Sequence, residues 1–331
     1  MIKNILPNEK IYIAGHSGMV GSAIKRKLIN RGYRNLLCPN RHELDLLDFN
    51  QVEKWFKDNI PDVVILAAAK VGGINANNKF SADFILENLK IQNNVIENAW
   101  KHKARRFLFL GSSCIYPRLA NQPIKEEYLL TGKLEKTNEA YALAKIAGIQ
   151  LCNALKKQYG FDAISLMPTN LYGQGDNYNP SNSHVLPAMI SKFYQAKIKG
   201  INKVSCWGTG NPRREFLFVD DLADASIFIL ENVSINNSSL FDDLGNICGI
   251  LNVGVGSDIS IKELANLISS IIGYEGEIVW DSSKPDGTPR KLLEVSKLKK
   301  LGWSAKTNLQ KGIELTLKSY VEELKNESAR I

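Results

Sequence analysis

Three glycines spaced Gly15-x-x-Gly18-x-x-Gly21, directly after the apolar run Ile11-Tyr12-Ile13-Ala14, commit the start of this chain to a strand, a tight turn and a helix. Behind the turn Met19, Val20, Ala23, Ile24 and Leu28 repeat at helical spacing. In such a turn the backbone of Gly15, His16, Ser17, Gly18, Met19, Val20 and Gly21 can meet a pyrophosphate, with the helix dipole behind it. Glycines alone fit an ordinary strand-to-helix turn equally well, so the dinucleotide reading needs support from further along the chain.

That support begins with alternation. Short β-rich runs at Leu36-Leu37-Cys38, Val63 to Leu66, Phe107 to Leu110 and Ala163 to Met167 are separated by long helical stretches around Phe84 to Trp100 and Glu139 to Gln158. The almost uniformly apolar runs predict central parallel strands covered on both faces. We therefore expect an α/β fold, a doubly wound parallel Rossmann sheet with a smaller C-terminal α/β substrate lobe. In the helix around Phe84 to Trp100, Ile85, Leu89, Ile96 and Trp100 fall on a common side. Both long helices carry an apolar edge suited to a homodimer, although packing on the sheet is the commoner fate of such a face.

After Asn170 the pattern changes to a Gly, Asn and Pro-rich stretch, Tyr172 to Pro180, and then a helical run from His184 to Ala196. Residues 1–171 are read as the nucleotide-binding domain, with segments at about 215–256 returning to it, and 172–331 as mainly the substrate lobe. Leu251 to Gly254 reads as a late strand, Ile261 to Ile271 as a helix and Asn232 to Asn246 as a polar loop.

Within this frame Tyr141 and Lys145 form Tyr-x-x-x-Lys, and Ser112 follows the strand Phe107 to Leu110. Positions i and i+4 share a helix face, so the Lys145 ammonium can lie under the Tyr141 phenol. A charge there is expected to lower the phenol's pKa and make it a usable acid or base near neutral pH. Ser112 would hold a carbonyl or its developing oxyanion. The ordered set is the chemistry of a nicotinamide-dependent carbonyl/alcohol oxidoreductase. Past the second strand, where an acidic residue would grip a ribose 2′-hydroxyl, stands Arg41. Its guanidinium favours a 2′-phosphate, hence NADPH/NADP.

Composition narrows the partners. The formal net charge of +8 is spread along the whole chain, which suits an anionic substrate and gives no clustered patch for nucleic acid. Five cysteines, Cys38, Cys114, Cys152, Cys206 and Cys248, lack Cys-x-x-Cys spacing, which argues against a disulfide framework or a zinc site and for a reducing cytoplasm. No long apolar run encodes secretion or a membrane span, and no metal is expected.

Further motifs occur in a fixed order: Gly111-Ser112-Ser113-Cys114-Ile115-Tyr116-Pro117, Tyr141-Ala142-Leu143-Ala144-Lys145, Pro168-Thr169-Asn170-Leu171-Tyr172-Gly173, Ser183-His184-Val185-Leu186-Pro187, Arg213-Arg214-Glu215-Phe216-Leu217 and Lys284-Pro285-Asp286-Gly287-Thr288-Pro289-Arg290-Lys291. Through them the chain closely resembles, over nearly its full length, the GDP-L-fucose synthases, a branch of the extended short-chain dehydrogenase/reductase family. The resemblance implies epimerisation of GDP-4-keto-6-deoxy-mannose at C3 and C5 and reduction at C4 by NADPH. It makes Cys114 the base, His184 the acid on the opposite face, Tyr141 the proton donor to O4, Lys145 its tuner and Ser112 the O4 ligand. Taken alone, Cys114 reads as a small buried hydrophobe and His184 as structural; their places in the motifs single them out.

The same resemblance adds cofactor contacts at Leu110, Pro168, Asn170, Leu171 and His184, and substrate contacts at Lys192, Trp207, Arg214 and Asp286. Two positions depart from the pattern: Ser17 and Lys192 stand where the family commonly carries Arg. Ser17 leaves Arg41 to carry the NADP preference alone, and Lys192 offers a point charge in place of a fork. Two other readings compete: a C4 reductase of a related GDP-4-keto sugar such as a heptose, with little or no epimerase activity, and a non-catalytic NADP-binding regulator. An intact Ser112, Tyr141 and Lys145 weigh against the second.

Overall fold

The computed structural model describes residues 4–180, 182–241, 245, 248–284 and 286–331. Of the polar run 232–246, residues 242–244 and 246 lie outside that set, as does Pro285 of the C-terminal motif. The first half alternates β1 (Ile11–Ala14), α1 (Met19–Asn30), β2 (Leu36–Leu37), α2 (Phe49–Asn59), β3 (Val63–Leu66), α3 (Ile74–Lys79), α4 (Ser81–Lys101), β4 (Arg106–Leu110), α5 (Glu139–Tyr159) and β5 (Ala163–Pro168). The second half holds β6 (Asn170–Tyr172), α6 (Val185–Ile198), β7 (Lys203–Trp207), β8 (Arg213–Arg214), β9 (Phe216–Phe218), α7 (Val219–Asn232) and β10 (Ile250–Val253). It closes with β11 (Ile259–Ser260), α8 (Ile261–Ile272), β12 (Glu277–Asp281), β13 (Arg290–Lys291), α9 (Ser296–Lys300) and α10 (Leu309–Lys325).

Six strands make one sheet in the order β10-β5-β4-β3-β1-β2, every pair parallel. The doubly wound sheet expected from the apolar runs is therefore present, and the late strand returns to pair with β5. The pleat divides each strand between two cores. Ile11, Ile13, Val63, Ile65, Leu108 and Ile164 face α1 and α7, while Tyr12, Val64, Leu66, Phe107 and Phe109 face α2, α4 and α5. With both faces covered, no position of β1, β3, β4 or β5 remains for a polar outward residue, which is why these runs lack alternation. A third core, with Tyr172, Leu186, Ile190, Phe193, Leu264, Ile268, Ile313 and Tyr320 among its members, gathers α6, α8 and α10.

α4 buries a different stripe from the one its apolar residues suggest. Ile96 is buried, with Phe84, Asn88, Gln92, Asn94, Val95, Asn98 and Ala99, whereas Ile85, Leu89 and Trp100 are only half-buried. The buried amides have work on the backbone. Asn88 Oδ1 accepts from Lys70 N and its Nδ2 donates to Lys70 O, both at 3.0 Å, fixing the loop after β3. Gln92 Nε2 donates to Ala144 O at 2.6 Å, hooking α5 next to Lys145. Burying an amide is tolerated when such bonds replace water.

Candidate active site

The nucleotide turn is built as the glycine spacing requires. Gly15 adopts φ +85°, and a Cβ there would stand 2.7 Å from the Ala68 backbone; one at Gly21 would collide with the Gly15 carbonyl. Gly18 caps α1 without a side-chain bond and the first helical turn holds no acidic residue. The early N–H groups of α1 are thus left for an anion, which fits a diphosphate. Past β2, which ends at Leu37 one residue short of expectation, Asn40 Oδ1 accepts from His42 N (2.8 Å) and Glu43 N (3.2 Å). That turn presents Arg41 to solvent, with no ion pair among the described residues. Ser17 is exposed.

At the carboxyl end of β4, Ser112 Oγ accepts from Cys114 N at 3.2 Å and caps the short turn Ser113–Ile115. The hydroxyl thereby orients the residue that carries the thiol. From α5, Tyr141 packs edge-on to Phe84 with centroids 6.4 Å apart, and Lys145 Nζ lies 5.9 Å from the Tyr141 ring centroid. Lys145 is only 3% exposed; its Nζ donates to Leu110 O at 2.8 Å and sits over the Phe109 ring. Burial lowers its pKa to about 8.

The expected lowering of the Tyr141 pKa is not found. Burial raises it, the nearby Cys114 adds to the rise, and the hydroxyl of Ser112 opposes both without overcoming them. Desolvation of a buried phenolate outweighs an ammonium that is itself desolvated and engaged by a carbonyl. The phenol is held protonated, the form a proton donor needs.

His184 is the N-cap of α6, so the helical run begins one residue later than its sequence suggests. Although the residue as a whole is exposed, desolvation of its imidazole and the Lys291 ammonium both lower its pKa. Lys291 Nζ also reaches Cys114 Sγ at 3.6 Å. Arg214 lies beside Cys114, Asp286 and Glu135, with desolvation the main influence on its charge. Asp286 accepts from Thr209 N at 2.7 Å and Thr209 Oγ1 at 2.8 Å, which ties its segment to the turn after Trp207. Trp207 is 59% exposed under Lys284 Nζ, and Lys192 Nζ donates to Ser205 O at 2.8 Å. Pro168 ends β5, and Asn170 and Leu171 open β6, where Asn170 Nδ2 donates to Glu215 O at 2.8 Å. Thus Ser112, Cys114, Tyr141, Lys145, His184 and Arg214 converge, while Lys192 on α6 bonds to β7, the strand that ends at Trp207.

Two residues of this site received no role from the sequence. Glu215, fully buried, accepts from Val255 N (2.6 Å), Gly256 N (2.7 Å) and Leu293 N (3.0 Å). Lys291 is held beside it, its carbonyl accepting from Glu215 N at 3.3 Å. The signal was a carboxylate leading directly into the apolar run Phe216-Leu217-Phe218, a type rarely buried without partners.

Residues 11–241 match the NAD dependent epimerase/dehydratase family. The chain is 53% identical to GDP-L-fucose synthase 1 of Arabidopsis thaliana, covering 96% of this chain and 94% of the other. It is 49% identical to the GDP-L-fucose synthase of Escherichia coli K12, covering 96% and 98%. The solved structure of a GDP-mannoheptose C4 reductase from Campylobacter jejuni with NADP bound superimposes with a TM-score of 0.87 at 40% identity, covering 96% and 99%.

Proposed function

The chain belongs to the NAD dependent epimerase/dehydratase family, and from that premise we propose that it turns GDP-4-keto-6-deoxy-mannose into GDP-L-fucose, epimerising C3 and C5 and reducing C4 with NADPH. The observation that carries this is near-full-length similarity to GDP-L-fucose synthases in a chain whose Cys114 stands beside the Ser112, Tyr141 and Lys145 group.

The protons at C3 and C5 are both α to the C4 ketone, so one site that stabilises an enolate serves both carbons. Cys114 removes the proton and His184 returns one on the opposite face. The lowered pKa of His184 makes its imidazolium a stronger acid and, once the proton is given, keeps the imidazole neutral. Ser112 binds O4 as charge grows there. Reduction comes last because it removes the activating carbonyl. Bound NADPH supplies the hydride; Tyr141, held protonated, gives O4 its proton, and the Lys145 ammonium supports the phenolate left behind. Arg214 and Asp286, with Lys192 and Trp207 further along the cleft, hold the nucleotide sugar.

NADP is held by Gly15 to Gly21, Arg41, Leu110, Pro168, Asn170 and Leu171. We divide the chain at about residue 171, with 215–256 returning to the nucleotide domain, a division supported by the pairing of β10 with β5. We also propose a cytoplasmic homodimer. Five cysteines that form no disulfide support the compartment, and exposed Leu86, Leu143 and Tyr159 on α4 and α5 support the contact. No helix among the described residues is long and apolar enough to cross a membrane.

The test is turnover: the protein, NADPH and GDP-4-keto-6-deoxy-mannose should yield one GDP-L-fucose for each NADPH oxidised. Absence of NADPH oxidation contradicts the assignment.

A further inference from the structure

β8 and β13 bring four cations into register, Arg213 beside Arg290 and Arg214 beside Lys291. The pleat sends the two pairs to opposite faces. On one face Asp258 takes both charges, from Arg213 Nε at 2.8 Å and Arg290 Nε at 2.5 Å. On the other face Lys291 has no carboxylate partner among the described residues; the hydrogen-bond partner of its Nζ is Cys114 Sγ at 3.6 Å. Like charges directly opposite on paired strands cost stability. A half-buried face that keeps two of them is built for anions.

We propose that Lys291 is a positioning residue for the epimerase half of the reaction, its ammonium holding Cys114 as the thiolate that removes the substrate protons. The proposal rests on the assignment of Cys114 as the base. Thiolate, not thiol, accepts the proton, and a neighbouring cation is the ordinary way a protein populates it. The other groups that face Cys114 are Arg214 from β8 and Tyr141 from α5, with His184 at the cleft edge and Glu135 and Asp286 behind Arg214. Among the described residues, Lys291 is the one whose side chain hydrogen-bonds the sulfur. Its backbone is fixed by Glu215, whose N–H donates to the Lys291 carbonyl and whose Oε2 accepts from Leu293 two residues on. The base is therefore completed by a strand 177 residues away in sequence.

The test uses the free full-length enzyme and iodoacetamide, with the alkylated peptide identified by mass spectrometry so that Cys114 is read apart from the other four cysteines. Lys291→Met and Lys291→Gln should slow Cys114 alkylation at pH 7 about tenfold, as loss of a cation beside the thiolate predicts, and should raise the pH of half-maximal alkylation. Lys291→Arg should preserve both. Solvent exchange of the C3 and C5 protons should fall in the Met and Gln variants while NADPH binding is unchanged. Unchanged alkylation rate and pH profile in both variants would overturn the proposal, and would mean that Lys291 serves the diphosphate instead. Cys114→Ser separates the two claims: exchange that survives in it overturns the base assignment, whatever the alkylation of the Lys291 variants shows.

Discussion

Lys145 Nζ and Tyr141 occupy one face of α5, 5.9 Å apart from nitrogen to ring centroid, with the ammonium bonded to the Leu110 carbonyl and no carboxylate partner among the described residues. The arrangement holds an acid and a cation ready, and it costs folding free energy.

Burial lowers the Lys145 pKa to about 8 from an ordinary 10.5. Between those values the unfolded chain binds the proton and the folded chain does not, so this group's contribution rises with pH across that window and is most unfavourable below it. The cost near pH 7 is on the order of 3 kcal/mol. Urea unfolding of the cofactor-free protein should show Lys145→Met gaining most over wild type at pH 7 and losing that margin by pH 10. A margin independent of pH would mean that burial does not penalise the ammonium.

Tyr141→Phe removes the proton donor and leaves Cys114 and His184 in place. Turnover of NADPH should fall about 10²- to 10⁴-fold, while C3 and C5 exchange continues. Loss of both activities together would mean that Tyr141 also takes part in epimerisation.

Arg41 stands exposed on the turn after β2, with Ser17 unable to share its task. Arg41→Ala should weaken NADPH binding by roughly 1.5–3 kcal/mol, the range for hydrogen bonds to charged groups, and leave NADH nearly unaffected. Titration of cofactor fluorescence reads the difference, and equal losses for both cofactors contradict a 2′-phosphate contact.

Glu215→Ala would leave three backbone donors without their acceptor, the buried Leu293 N and the partly buried Val255 N and Gly256 N. Each orphaned group costs about 1–3 kcal/mol, so thermal unfolding should drop sharply. Glu215→Gln, which keeps an acceptor oxygen, should recover part of the loss. Equal stabilities for the two variants would show that the carboxylate is not a clamp.

Local grammar was readable in the sequence, and distant pairing was not. β1, β3 and β5 declare themselves by length and apolarity, and Tyr141 and Lys145 by their spacing on one helix. The inward face of α4 is not legible because Asn88 and Gln92 are polar, and their acceptors and donors lie on the loop after β3 and on α5. Geometry around Tyr141 followed from the i, i+4 rule; its ionisation did not, since depth of burial is set by the whole fold. Lys291 was in view within a motif, but only the pairing of β13 with β8 carries it to Cys114.

If one site performs two epimerisations before one reduction, both carbons must take a proton from solvent before the hydride arrives. Incubating the protein with NADPH and GDP-4-keto-6-deoxy-mannose in deuterated water, then examining the product by NMR and mass spectrometry, reads that order. GDP-L-fucose with deuterium at both C3 and C5 is the predicted result. A C4-reduced product with neither carbon labelled would contradict it and identify a simple C4 reductase.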